Sequence, residues 1–237
     1  MDYIYSFLFG VFPYLAMTVA VVGCYYRFRY VPRSVKTSSS QIFHGKSLMI
    51  GSILFHIGIL NLLAGHVFGL LTPHQIYEAF GLTTPMKQQI EIVMGFLMTP
   101  PALIGLSILI WRRVAITAVK KNNAKGDIAL LSLIWIQLMI GFVGIFFSLG
   151  HMDDGGANML KLTGWFQGLF IAQPDNWKTI VDVNPIYQAH IVIGFVFFLI
   201  LPFTRLIHVI AGGMLGEYLL RPYQIVRQSV WSKEGRK

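Results

Sequence analysis

Five stretches of the chain carry no Asp, Glu, Lys or Arg: residues 3–26, 47–77, 92–111, 128–152 and 183–204. Their apolar residues run on without the period-2 alternation of a membrane barrel strand. Each is long enough to supply the about 20 helical residues that cross a hydrocarbon core. The pattern therefore predicts an all-α polytopic membrane protein, a bundle of five transmembrane helices. Residues 153–182, with Gly155, Gly156, Pro174, Trp165 and Trp177, read as a loop outside the membrane. A helix lying in the interface is expected around residues 159–170. Residues 1–221 form the membrane domain, and residues 222–237 a basic tail too short to fold alone.

The polar residues between the stretches predict the orientation. Arg27, Arg29, Arg33, Lys36 and Lys46 lie between the first two, Arg112, Arg113, Lys120, Lys121 and Lys125 follow the third, and Arg221, Arg227, Lys233, Arg236 and Lys237 follow the fifth. The alternate loops hold Glu78, Lys87 and Glu91, then Asp153, Asp154, Lys161, Asp175, Lys178 and Asp182. Cytoplasmic loops are enriched in Lys and Arg, so the N-terminus is expected outside and the C-terminus in the cytoplasm of a cell (inner) membrane.

Composition narrows the class further. With mean hydropathy +0.62 and 12% charged residues against roughly 25% for a soluble domain, the chain is neither disordered nor a single soluble domain. The start, with Asp2 and an apolar run to Tyr26, lacks the basic n-region of a signal peptide, so the first segment is read as a retained anchor. Cys24 is the one cysteine, which excludes an internal disulfide, a Cys-ligated cluster and a C-x-x-C-H haem attachment. Ligation of a metal is left mainly to histidine. The net charge of +9 sits in membrane-flanking loops, so it does not indicate nucleic acid.

Four of the seven histidines, His56, His66, His190 and His208, fall within the two helices expected from the second and fifth apolar segments, where ionisable groups are costly and usually functional. His56 and His66 lie on the second, His190 and His208 on or just beyond the fifth. The two segments run antiparallel, which pairs His56 with His208 at the cytoplasmic level and His66 with His190 at the outer level. If the fifth segment is a continuous helix, His190 and His208 share a face and stand about 27 Å apart, whereas His56 and His66 stand about 15 Å apart and about 80° round the axis. Helix tilts near 20° absorb part of that mismatch of about 12 Å.

Two imidazoles facing across a flat macrocycle would hold a haem iron from both sides, blocking oxygen and leaving electron transfer. Simple interhelical hydrogen bonding is the alternative for any one histidine. A zinc or copper site fits less well, because its ligands must lie within a few ångströms of one metal. Gly58, Gly65, Gly69 and Gly194 suit close approach of a planar cofactor and tight helix packing equally. His44 reads as a solvated loop residue. His74 and His151 are interface residues able to carry protons.

The chain resembles the gamma subunit of membrane-bound respiratory nitrate reductase, a dihaem cytochrome b. The resemblance rests on Phe55-His56-Ile57-Gly58-Ile59, Gly65-His66, Gly69-Leu70-Leu71-Thr72-Pro73-His74 and Tyr77-Glu78-Ala79. It continues through His151-Met152-Asp153, Lys161-Leu162, Gly164-Trp165, His190 with Gly194, and Pro202-Phe203-Thr204-Arg205-Leu206-Ile207-His208. It implies two haem b groups with axial ligands His56 and His208, and His66 and His190. It also implies oxidation of a quinol near the outer haem and electron delivery to an iron–sulfur beta subunit and a molybdenum-containing alpha subunit that reduces nitrate. Lys87 is implied as a quinol contact, with His66, Gly65 and Gly69 beside it, and Arg205 is a candidate partner for a haem propionate. Residues 81–86 depart from the family pattern. Similar membrane cytochromes serve sulfite-reductase-associated and heterodisulfide-reductase-like complexes, and these stay open as alternatives. A haem-free transporter is also an alternative, though such a protein usually carries intramembrane carboxylates or broken helices, and the acids of this chain are expected only in loops.

Overall fold

The computed structural model describes residues 2–30, 45–121 and 126–213. His44 and the basic tail 222–237 lie outside the described residues. The helices are α1 (Asp2–Tyr5), α2 (Phe12–Tyr30), α3 (Gly45–Leu71), α4 (His74–Ala79), α5 (Thr84–Ala115), α6 (Thr117–Lys121), α7 (Asp127–Leu149), α8 (Ala157–Phe170), α9 (Pro185–Ile200) and α10 (Ile207–Gly213). A π-helical segment, Ser6–Val11, joins α1 to α2 into one span, and a 3-10 turn, Leu201–Phe203, follows α9. Five spans are long and apolar enough to cross a membrane: Asp2–Tyr30, α3, α5, α7 and Pro185–Phe203. Val21, Val22, Ile53, Phe68, Leu97 and Ile104 are exposed on them, as apolar side chains facing lipid would be. The protein is a multi-pass membrane protein, and no strand occurs among the described residues.

Small residues let α3 and α5 meet backbone to backbone. A Cβ on Gly58 would stand 2.7 Å from Ala102 Cβ and 2.6 Å from the Met98 carbonyl oxygen, and one on Gly105 2.6 Å from the Gly51 oxygen. Small-residue contacts of this kind drive helix association where lipid removes the hydrophobic driving force. Ala102, Leu106 and Leu138 then form a core joining α5 to α7, with Phe55 and Ile59 of α3 packed against it. On the other side of the bundle Phe9, Ala16, Trp165, Leu169, Ile180, Val183 and Phe195 make a second core.

A helix is present over the stretch 159–170, as α8, but it begins at Ala157, and it is pinned into the bundle by its tryptophan. Pro13 has no N–H to offer the Phe9 carbonyl four residues earlier, and Trp165 Nε1 donates to that carbonyl at 3.1 Å instead.

Two expectations are corrected. The fifth span is not one helix as far as His208: α9 stops at Ile200, Pro202 sits in the 3-10 turn, and Thr204 is extended at φ −115°, ψ 179°. Proline cannot continue an α-helix, because it lacks an N–H and crowds the carbonyl one turn back. The acids are also not confined to loops. Thr83 caps α5 by accepting from the Met86 N–H, and Pro85 lies in its first turn, a favoured pairing at a helix start. Lys87 and Glu91 are therefore helical, and Asp127 opens α7.

Candidate functional site

The break after Pro202 redirects the chain so that both histidine pairs form. The rings of His66 and His190 have centroids 5.8 Å apart with planes at 25°, and those of His56 and His208 lie 6.4 Å apart at 62°. A straight fifth helix would have separated His190 and His208 by about 27 Å, against about 15 Å between His56 and His66. The turn removes that mismatch.

Ring orientation is set by the backbone. His56 Nδ1 donates to the Ser52 carbonyl at 2.7 Å, His66 Nδ1 to the Leu62 carbonyl at 2.7 Å, and His208 Nδ1 to the Arg205 carbonyl. A carbonyl only accepts, so each bond fixes the proton on Nδ1 and leaves the Nε2 lone pair for a ligand. His190 differs. Gln137 of α7 donates Nε2 to its carbonyl at 2.9 Å, while His190 Nδ1 and Gln137 Oε1 are buried with no hydrogen-bond partner among the described residues. Gly141 leaves the room this ring occupies, since a Cβ there would meet His190 Cε1 at 2.9 Å.

Side chains from three other parts of the fold hold the break that carries His208. Arg27 of α2 donates Nη1 to the Pro202 carbonyl at 2.7 Å and to the Thr204 carbonyl at 3.1 Å, satisfying groups that the interrupted helix releases. A Cβ on Gly23, one turn earlier, would stand 2.7 Å from the Pro202 ring. Asp127 Oδ2 accepts from Arg113 at 3.0 Å and also pairs with Arg205, the residue whose carbonyl orients His208. Arg205 thus has a protein partner that sequence reasoning missed. Arg27 reads in the sequence as a flanking loop charge, and its role, like the pairing of Asp127 with Arg205, depends on where the fifth span breaks.

At the other level Lys87 Nζ donates to the Gly69 carbonyl at 2.6 Å and lies 3.3 Å from Glu91 Oε1. It also stands 4.9 Å from the Tyr77 ring centre, a cation–π distance. Lys87 and Gly69 are therefore brought together, one turn along α3 from His66. Among the described residues no heavy atom beyond its own helix and chain neighbours lies within 4 Å of a Cβ placed on Gly65. Gly58, by contrast, serves helix packing. His151 Nδ1 donates to the Phe147 carbonyl at 2.8 Å.

A five-span bundle with two levels of facing imidazoles, each pair drawn from separate helices, defines a membrane subunit built around paired histidines. Over residues 5–229 the chain matches the family of the nitrate reductase gamma subunit. It is 38% identical to the respiratory nitrate reductase 1 gamma chain of Escherichia coli K12 over 96% of this chain and 99% of that relative. To the respiratory nitrate reductase 2 gamma chain of the same organism it is 37% identical, over 95% and 98%. To the nitrate reductase gamma chain of Bacillus subtilis 168 it is 32% identical, over 93% and 97%. The chain belongs to the nitrate reductase gamma subunit family, and so to an oxidoreductase complex with further subunits.

Proposed function

We propose that the chain is a dihaem cytochrome b that oxidises quinol and passes the electrons across the membrane to the iron–sulfur beta and molybdenum-containing alpha subunits of a respiratory nitrate reductase. The observation that carries this reading is the spacing of the imidazole pairs. Metal–imidazole bonds are about 2 Å long, and adding roughly 1 Å from nitrogen to ring centre on each side puts two axial rings about 6 Å apart. The pairs, at 5.8 and 6.4 Å, suit that span. At His56, His66 and His208 the Nδ1 bonds to carbonyls supply the outer contact that metal-ligating histidines almost always make.

His56 with His208 would hold one haem b and His66 with His190 the other. When bound, these groups would supply one-electron transfer. Lys87, held on the Gly69 carbonyl, orients the quinol by donating to one of its oxygens, and Gly65 leaves room for the ring beside His66, while the space over Gly69 is taken by Glu91. Arg205, anchored on Asp127, has further guanidinium N–H groups suited to a propionate. The distribution of Lys and Arg supports placing the His66 pair and the quinol outside, and the His56 pair and both tail and partner subunits on the cytoplasmic side of the cell membrane.

A visible spectrum of the dithionite-reduced protein tests the reading. Two haem b groups per chain are expected, and an intact but colourless polypeptide would overturn it.

A further inference from the structure

Quinol oxidation releases two protons as well as two electrons, and the groups at the Lys87 end differ in what they can accept. Protonated Lys87 is a donor with no lone pair. His66 gives its Nδ1 proton to the Leu62 carbonyl and, in the reading above, its Nε2 to iron. Tyr77 shares its hydroxyl with Thr84 Oγ1 at 3.2 Å. Glu91 is the carboxylate of this cluster. Its Oε1 lies 3.3 Å from Lys87 Nζ and would stand 2.7 Å from a Cβ on Gly69, so the acid lies against α3 one turn from His66. The Lys87 side chain is 11% exposed and that of Glu91 39%. The carboxylate thus lies between the buried ammonium and the outside of the bundle.

We infer that Glu91 is the base that takes the protons of the quinol, an inference that rests on the quinol reading for Lys87. Lys87 donates to one oxygen of the head group. A quinol O–H bond breaks, its proton goes to the Glu91 carboxylate, and one electron would leave to the one-electron acceptor, a haem b, that the His66 pair would hold. Glu91 releases the proton to water, and a second such step, after the haem has been reoxidised, leaves the quinone. The cost of a carboxylate within a span is offset by the adjacent Lys87 charge. A general base of this kind contributes about 10²-fold or more.

The test is stopped-flow reduction of the haems by a water-soluble naphthoquinol in the membrane complex containing this chain. Glu91→Gln should reduce about 10²-fold more slowly, with its dithionite spectrum unchanged, and Glu91→Asp should recover much of the rate. A wild-type rate in Glu91→Gln alongside a slow Lys87→Ala removes Glu91 as the base and leaves the quinol site standing. Wild-type rates in both variants remove the quinol site itself. Infrared difference spectra of the unmodified complex give a check independent of any variant. A transient protonated carboxyl band must appear while quinol is being oxidised and be missing with dithionite, and its absence overturns the proposal.

Discussion

The His66 and His56 pairs carry the same two imidazoles but are built differently. His66 and His190 sit within continuous helices, α3 and α9, and their planes lie 25° apart. Regular helix geometry plus packing is enough to bring them face to face. His208 stands beyond a broken helix, its plane 62° from that of His56, and its position depends on Arg27, Asp127 and Arg205 reaching across the bundle. One pair is placed by secondary structure and the other by tertiary side-chain contacts. Distant substitutions should therefore damage the second pair selectively.

The largest effects come from the ligands themselves. His66→Ala or His190→Ala should remove one haem b from the reduced spectrum and spare the other, and His56→Ala or His208→Ala should do the converse. Equal loss of both in folded protein breaks the pairing. Next, Asp127→Ala removes the acceptor shared by Arg113 and Arg205. Losing one partner of a largely buried ion pair costs about 3–5 kcal/mol. The expected result is a shifted midpoint potential and weakened retention at the His56 pair, with the His66 pair unchanged. A uniform shift at both pairs would show that Asp127 serves only general stability.

Much of this was legible in the sequence because its signals are local. Continuous apolar runs gave five spans, and the antiparallel order of α3 and α9 gave the pairing of His56 with His208 and His66 with His190 by depth. The geometry of the fifth span was misjudged because the run 183–204 stays apolar through Pro202, so hydropathy conceals where the helix stops. Arg27 reads as a flanking charge for the same reason: it gains its partners, and Asp127 its pairing with Arg205, only when the chain turns after Pro202. Glu91 reads as a loop residue because the absence of charge marks the third span from Ile92 onward. Thr83 and Pro85 start α5 two turns earlier, and the Lys87–Glu91 pair offsets the charge that this places in the helix.

A smaller effect separates substrate handling from haem binding. Lys87→Ala removes the ammonium that bonds Gly69 and Glu91 and, in the proposed function, one quinol oxygen. Hydrogen bonds from charged groups contribute about 1.5–3 kcal/mol, so quinol-driven reduction should slow roughly 10- to 100-fold. Both haems should still reduce with dithionite at unchanged potentials. Slowed electron entry with an unperturbed His56 pair would place substrate at one end of the molecule, while unchanged quinol kinetics would remove Lys87 from the site.

The smallest effect probes how tightly helix geometry fixes the better-ordered pair. Gly141 of α7 lies against the His190 ring, and a methyl group there would meet Cε1 at 2.9 Å, closer than carbon atoms pack at about 3.5–4.0 Å. In Gly141→Ala either the ring or α7 must move by several tenths of an ångström. Because His190 is carried on an unbroken α9 and held through Gln137, the ring itself should rotate while the helix stays in place. The expected outcome is a changed electron paramagnetic resonance signature of one haem, which reports the angle between axial imidazole planes, with both haems retained and the signal of the His56 pair constant. A change confined to the His56 pair would show that the two levels are coupled through α7 and would end the division between a pair placed by helices and a pair placed by side-chain contacts.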